Sequence, residues 1–146
     1  MTNHALKDIG AKLMNRGHRL ILTLSGNRLL SKPFGMPAVE LHTVGRKSGQ
    51  PRSCMLTAPV HDDQRAILVA SKGGDDRNPD WYRNLQAHPE AELVIDGKRR
   101  KILTRTANEA ERAELWPQIV AAYQGYAGYQ TRTDRVIPVV ICEFQS

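Results

Sequence analysis

The sequence predicts a single, mainly β domain of the α+β class, in which antiparallel strands form a closed or nearly closed barrel. From residue 38 onward, short apolar segments recur with turn residues between them, a pattern typical of hairpin-connected strands. Only two helical patterns interrupt these segments, whereas a parallel α/β sheet needs a helix after nearly every strand. The 146 residues, 40% hydrophobic and 25% charged, suit one core, so we assign residues 1–146 to one domain.

The predicted barrel core covers residues 38–144 and contains six strands and two helices. The strands are expected at residues 38–44, 52–60, 66–71, 92–96, 99–105 and 136–144, and the helices at residues 79–88 and 107–123. Asp96 and Gly97 predict a tight hairpin turn between the fourth and fifth strands.

The second helix carries two local signals. Thr106 and Glu109 have the spacing of a capping box, which predicts that the helix begins between them. Pro117 lies inside the helical pattern and lacks a backbone N–H, so we expect a kink or break near Trp116.

Residues 1–30 are expected to form an N-terminal helix and the start of a linker. Apolar residues recur at nearly helical spacing over residues 5–24, with basic residues distributed among them. Such a helix either packs its apolar side on the barrel or lies on an anionic membrane surface. The sequence leaves both interpretations open.

The net charge of +6 and the pI of about 9.6 indicate an anionic partner, although charge alone does not identify it. Cys54 and Cys142 lie far apart in apolar strand patterns, so we expect two buried thiols rather than a disulfide. No secretion signal is recognised, and no apolar run approaches the ~20 residues of a membrane helix. We therefore expect a cytoplasmic protein, which in the membrane interpretation of residues 5–24 contacts the cytoplasmic face. No oligomeric state is indicated.

A basic hairpin tip follows the first predicted strand. Gly45 and Gly49 bracket Arg46, Lys47 and Ser48 between two apolar runs. A tip of this composition presents cations and free backbone N–H groups to one point, which predicts an anion-binding site.

A second basic turn, Ser71 to Gly74 with Lys72 inside it, follows the third predicted strand. Asn78 and Pro79 then open a short helix that carries Trp81 and Tyr82. The two basic turns and the aromatic pair predict one ligand with a phosphate and a flat ring.

Other sites are not supported by the motifs. The tip lacks the spacing of a phosphate-binding P-loop, and no nucleophile-elbow pattern is present. The five histidines are scattered, so no metal site is expected. Only 5% of residues are aromatic, and they cluster after helices rather than along strands, so we do not expect nucleic acid as a partner.

Three segments of the sequence resemble the deazaflavin-dependent nitroreductases, the branch of the split β-barrel flavin proteins that binds coenzyme F420. The segments are TVGRKSGQPR, ASKGG with the later NPDWYRNLQAHPEAELVIDG, and YQTRTDRVIPVVICE. Their order and spacing cover residues 39–143, most of the chain. The resemblance implies a six-stranded antiparallel split β-barrel of the FMN-binding type, with F420 as the cofactor.

The resemblance also implies roles for individual residues. Arg46, Lys47 and Ser48 would hold the phosphate and acidic tail of F420, and Ser71, Lys72 and Gly73 would line the slot for its ring. The remaining implied cofactor contacts are Arg52, Cys54, Met55, Leu56, Ala70, Asn78, Pro79 and Trp81. For Trp81, the helical spacing to Leu85 fits a core role equally well.

Three tyrosines, Tyr123, Tyr126 and Tyr129, follow the second helix at intervals of three residues. They form either one packed face of a helical turn or an aromatic lid over the reactive ring, where a phenol orients a substrate or donates a proton. By the resemblance, Tyr129 lies at the substrate face, with Tyr126 as the second candidate.

The predicted function is an F420-dependent oxidoreductase that transfers hydride to a quinone, enone or nitro compound. In such an enzyme the cofactor carries the difficult chemistry, so the absence of a recognisable acid–base pair is consistent with it. Two alternatives remain open at this point: a non-catalytic carrier of F420 or a flavin, and an FMN-dependent split-barrel oxidoreductase.

Overall fold

The computed structural model describes residues 36–145, so the predicted helix at residues 5–24 and most of the linker lie outside the described residues. The described chain forms an antiparallel sheet of seven strands with three α-helices. The strands are β1 (Ala38–Val44), β2 (Pro51–Thr57), β3 (Val60–His61), β4 (Arg65–Val69), β5 (Glu90–Ile95), β6 (Lys98–Thr106) and β7 (Val139–Phe144). The α-helices are α1 (Asp80–Ala87), α2 (Glu109–Ala122) and α3 (Gly125–Thr131), and Lys72–Gly74 forms a short 3-10 helix.

The predicted count of six strands is wrong, because the expected strand at residues 52–60 is two strands. β2 ends at Thr57, and the two-residue strand β3 pairs with β4. Pro59 lies between them and has no N–H for a strand ladder. The preceding Ala58 N–H donates to the Pro37 carbonyl, 3.1 Å away, which continues the pairing with β1 by one residue before the chain reaches Pro59.

The strand order is β2-β1-β5-β6-β7-β4-β3, and every neighbouring pair is antiparallel. The mainly β, antiparallel prediction is confirmed. Within residues 36–145, β2 and β3 are the two edges, so the sheet is a half-barrel rather than a ring closed by hydrogen bonds.

One buried cluster on the inner side of the sheet shows how far the sheet curves. This inner cluster joins Leu41 of β1 and Leu68 of β4 with Leu93 and Ile102 of β5 and β6, all at most 1% exposed. β1 and β4 lie near opposite ends of the strand order, so their side chains share one core only because the sheet wraps around it. Helix α1 covers this core with Leu85.

A second buried cluster lies against the outer side of β4 and β7. This outer cluster joins Ile67 and Ile141 from those strands with Leu115 and Ile119 of α2 and Tyr126 of α3. Because β4 and β7 are covered on both sides, their residues form nearly continuous apolar runs rather than an alternating pattern.

The beginning of α2 differs from the sequence prediction. The capping residue is Asn108, whose Oδ1 accepts a hydrogen bond from the Glu111 N–H, while Glu111 Oε1 accepts one from the Asn108 N–H. Thr106 instead ends β6, where it pairs with Val140. Because Thr106 is part of strand β6, helix α2 begins two residues later than the sequence predicted, with Asn108 as its N-cap.

Two further local predictions have different outcomes. Helix α2 runs through Pro117 without interruption, so of the kink or break expected near Trp116 the break is absent. The hairpin turn at Asp96 and Gly97 is confirmed, with φ angles of 51° and 75°. Among residues 36–145, no helix is both long and apolar enough to cross a membrane.

Candidate functional site

The hairpin tip between β1 and β2 is closed by its own backbone. The Gly45 N–H donates to the Gln50 carbonyl and the Gly49 N–H to the Gly45 carbonyl, each at 2.9 Å. A Cβ at Gly45 would lie 2.7 Å from Ser48 Oγ and 3.3 Å from the Gln50 carbonyl oxygen, so the turn is closely packed around this glycine. Ser48 Oγ also accepts hydrogen bonds from the Gln50 N–H and from Arg52 Nη2, at 3.1 and 3.2 Å. The tip is therefore a preformed loop, with Lys47 exposed at its end.

Arg46 connects this tip to helix α1. Its backbone N–H and its Nη1 both donate to Asn84 Oδ1, at 3.1 and 2.9 Å, and its Nη2 lies 3.3 Å from Asp80 Oδ1. Asn84 is 5% exposed and also donates to Thr43 Oγ1 at 3.4 Å. The predicted anion-binding arginine is thus held by the helix that follows the second basic turn.

The second basic turn adopts a backbone conformation that favours glycine. Lys72, Gly73 and Gly74 all have positive φ angles, of 46°, 63° and 84°. A Cβ at Gly73 would meet nothing within 4 Å, whereas one at Gly74 would lie 2.8 Å from the Tyr129 carbonyl oxygen. One side of the turn is therefore open, and the other side packs directly on α3.

Arg135 stabilises the second basic turn through hydrogen bonds from its guanidinium group. Its guanidinium donates to the carbonyl oxygens of Ala70, Ser71 and Asp75 at 3.2, 3.0 and 2.8 Å, and to Asn78 Oδ1 at 2.9 Å. Burial lowers the pKa of Arg135, an effect that the nearby carboxylate of Asp75 opposes. Three of these bonds satisfy backbone carbonyls where the chain leaves β4, and the fourth engages the Asn78 side chain.

The three tyrosines form a compact cluster. Their ring centroids lie 5.4–6.3 Å apart in edge-to-face arrangements. The Tyr126 hydroxyl is buried and lies 3.0 Å from Thr57 Oγ1 on β2, and burial raises its pKa. Burial, together with a hydrogen bond to Tyr123, raises the pKa of Tyr129 to about 12. Tyr129 is only half-buried, and the Arg132 guanidinium carbon lies 5.6 Å from the centre of its ring.

The other predicted cofactor residues lie in several environments. Cys54, Leu56 and Trp81 pack at the edge of the inner cluster, and Ala70 is fully buried within it. Met55 is 7% exposed, and the remaining residue of the set, Pro79, precedes α1 as its N-cap.

The structure therefore brings the second basic turn against α3, at Gly74 and the Tyr129 carbonyl, and it brings Arg46 onto α1. Trp81 packs against the inner cluster, whereas Tyr126 and Tyr129 belong to the outer cluster, so these aromatic residues lie in separate packing groups. Cys54 and Cys142 form no disulfide bond, as predicted. Residues 36–145 contain no group of three or more His, Cys, Asp or Glu side chains that could hold a metal ion.

A family model described as F420H(2)-dependent quinone reductase matches residues 14–144. The chain belongs to this family. The family is one of oxidoreductases, and F420 is its cofactor. The resemblance found in the sequence is thereby confirmed, as are the predicted enzyme class and cofactor.

Individual members of the family and solved structures agree with this assignment. The chain is 38% identical over 140 residues to an F420H(2)-dependent quinone reductase of Mycobacterium tuberculosis, covering 92% of each chain. A solved F420-H2 dependent reductase, FDR-A, is 41% identical and has a TM-score of 0.67, covering 73% of this chain and 94% of its own. A structure described as a domain-swapped dimer is 34% identical with a TM-score of 0.69, covering 96% of this chain and 98% of its own.

The residues present fit F420. Its phosphate and acidic tail need cationic or N–H donors, and the tip offers the exposed side chains of Lys47 and Arg52 beside Arg46. Its flat ring needs open backbone, which the unobstructed side of Gly73 offers.

Four residues of the site were missed by the sequence reasoning: Asp80, Asn84, Arg132 and Arg135. Asp80 and Asn84 lie inside the recognised NPDWYRN segment, and Arg132 and Arg135 inside YQTRTDR. The sequence did contain one indication of this role for Asn84. This polar residue precedes the apolar Leu85 on a helix that was expected to face the core.

Proposed function

We propose that this protein uses reduced F420 to reduce quinones and, by the same chemistry, enones and nitro compounds. The observation that carries the proposal is the direct packing of the second basic turn on the tyrosine-bearing helix α3, at Gly74 and Tyr129. This contact places a predicted cofactor-binding segment and a predicted substrate-binding segment side by side. When bound, reduced F420 supplies the hydride.

In this proposal the two basic turns bind opposite parts of the cofactor. Arg46, Lys47 and Ser48, with Arg52, hold the phosphate and acidic tail through charge-assisted hydrogen bonds. Ser71, Lys72 and Gly73 line the ring, because the outer side of their turn is open. The remaining proposed contacts are Cys54, Met55, Leu56, Ala70, Asn78, Pro79 and Trp81.

Tyr129 is proposed to orient the substrate oxygen. Because the pKa of Tyr129 is raised to about 12, the phenol keeps its proton throughout the neutral pH range. It can therefore donate a hydrogen bond to an oxygen on which negative charge develops, while water supplies the proton that completes the reduction. Tyr126 has the smaller role, since it is 6% exposed and its hydroxyl shares a hydrogen bond with Thr57, whereas Tyr129 is half-buried.

The proposal is tested by following the absorbance of reduced F420 with the purified protein and a panel of menadione, a nitroaromatic compound and a cyclic enone. We expect oxidation of the cofactor that depends on both protein and acceptor. Tight binding of F420 with no turnover of any acceptor would instead indicate a cofactor carrier. Fluorescence titration with F420 and FMN separates the flavin alternative, because stronger FMN binding contradicts the cofactor assignment.

We also propose that the protein is cytoplasmic and contacts the anionic surface of the membrane through residues 5–24, which lie outside the described residues. The support is the basic amphipathic pattern of this segment together with the net charge of +6. Such a contact would bring the protein close to a lipophilic quinone, because such substrates partition into the bilayer.

A further inference from the structure

Helix α1 approaches the anion-binding tip with two side chains of different charge. Asp80 and Asn84 are four residues apart and therefore lie on the same side of the helix. Both contact the Arg46 guanidinium, Asn84 through Nη1 at 2.9 Å and Asp80 through Nη2 at 3.3 Å. The two contacts have opposite consequences for an anionic ligand at the tip.

Asn84 fixes the direction of Arg46 without neutralising it. A single amide oxygen accepts both the backbone N–H and the guanidinium Nη1 of Arg46, while the amide nitrogen donates to Thr43 on β1. The residue is 5% exposed, so these bonds are shielded from competing water. Because the amide is neutral, the full charge of the guanidinium remains available to a ligand.

Asp80 reduces that charge. Its side chain is 80% exposed, whereas the Arg46 side chain is 20% exposed, so the carboxylate occupies the solvent side of the guanidinium. A phosphate or carboxylate of a ligand must share Arg46 with Asp80 or displace it. Since the ion pair is exposed on one side and screened by salt, displacing Asp80 from Arg46 requires only a small free energy. This free energy still reduces the affinity of the ligand.

We infer that Asn84 positions Arg46 for the anionic end of F420 and that Asp80 limits the affinity of the same tip, so that helix α1 sets how tightly the cofactor's tail is held. The inference rests on the proposed role of the tip in binding that tail. It predicts that two substitutions one helical turn apart change cofactor affinity in opposite directions.

The test is a fluorescence titration of F420 with Asn84→Ala, Asp80→Asn and Arg46→Ala, and with each of the first two combined with Arg46→Ala. Asn84→Ala should weaken binding about three- to tenfold, and Asp80→Asn should tighten it about two- to fivefold, the range of an exposed charge pair. In the Arg46→Ala background the effect of Asp80→Asn should vanish, because Asp80 acts through the guanidinium. The effect of Asn84→Ala should shrink to the part carried by the backbone N–H at position 46. The charge-matched control is Asp63→Asn, an exposed acidic residue in the turn between β3 and β4, which should leave affinity unchanged.

A deazaflavin that lacks the phosphate and acidic tail distinguishes a specific role at the tip from a general effect on the fold. Its affinity should be the same for the parent protein, Asn84→Ala and Asp80→Asn. Asp80→Asn also removes a favourable charge from the first turn of α1, which lowers stability slightly but does not by itself raise affinity. If Asn84→Ala does not fold, the inference is tested by Asp80→Asn alone, measured in the parent protein and in the Arg46→Ala variant.

The outcomes separate the inference from the function on which it rests. If Arg46→Ala weakens F420 binding but Asp80→Asn does not tighten it, the role of α1 is overturned and the proposed function stands. Equal effects on the tailed and the tailless deazaflavin also overturn it, because the substitutions then act on the fold. If Arg46→Ala leaves F420 binding unchanged, the inference fails together with the proposed role of Arg46 in holding the tail, while the turnover of reduced F420 still tests the proposed function by itself.

Discussion

The Tyr126 hydroxyl and Thr57 Oγ1 lie 3.0 Å apart, and this contact joins helix α3 to β2, one edge of the half-barrel. The same helix packs at Tyr129 on the turn that follows β4, near the other edge. Helix α3 therefore bridges the two ends of a sheet that hydrogen bonds between strands do not close within residues 36–145.

Tyr126→Phe should destabilise the fold more than it alters catalysis. The change leaves the Thr57 hydroxyl without its partner in a half-buried position, which costs about 0.5–2 kcal/mol. Urea unfolding measures the loss, and the pair is isolated by a cycle with Thr57→Val. Additive effects of the two substitutions would show that the hydroxyls do not stabilise the bridge.

Tyr129→Phe should lower turnover about tenfold or more while cofactor affinity changes little, since a positioned phenol helps most when charge develops on the substrate oxygen. Steady-state reduction of a quinone alongside F420 titration checks this. Tyr126→Phe is the matched control and should have the smaller kinetic effect. Unchanged turnover in Tyr129→Phe would leave this tyrosine as a packing residue.

Lys47→Ala should weaken F420 binding by roughly 1.5–3 kcal/mol, the range of a hydrogen bond to a charged group. Stability should hardly change, because the side chain is exposed at the hairpin tip. Lys98→Ala, a lysine that directly follows the Asp96–Gly97 turn, is the matched control and should leave binding unaltered. Equal weakening by both variants would indicate a general effect of net charge.

Stability should fall as the pH rises from about 9 to about 12. Burial raises the pKa of the Cys142 thiol from 9.0 to about 12, and the pKa of Tyr129 rises from 10.0 to about 12. The unfolded chain loses both protons first, so in this window the folded state binds more protons and is destabilised by each increase in pH. Urea unfolding between about pH 8 and pH 11 should show this slope, and Tyr129→Phe should reduce it. An unchanged slope in that variant would contradict the assignment to Tyr129.

Deletion of residues 1–25 should reduce association with anionic vesicles more than it reduces F420 affinity, if the basic segment contacts a membrane. Vesicle sedimentation and cofactor titration measure the two quantities on the same preparation. Neutral vesicles are the control, because the attraction is electrostatic. Loss of folding on deletion would favour the alternative in which the segment packs on the barrel.

The sequence by itself determined the features that depend on a few neighbouring residues. Asp96 and Gly97 specify their turn because both readily adopt positive φ. Gly45 and Gly49 mark the basic tip, and the recognised segments sufficed to indicate the cofactor.

Only the tertiary structure decided which of these pieces meet. Arg135 reaches Ala70, 65 residues away, and Arg46 reaches Asn84, 38 residues away. The capping residue of α2 and the division between β2 and β3 also depended on strand pairing rather than on local preference. Such contacts cannot be predicted from the spacing of residues along the chain. They form only when the sheet curves and its two ends come into contact with helices α1 and α3.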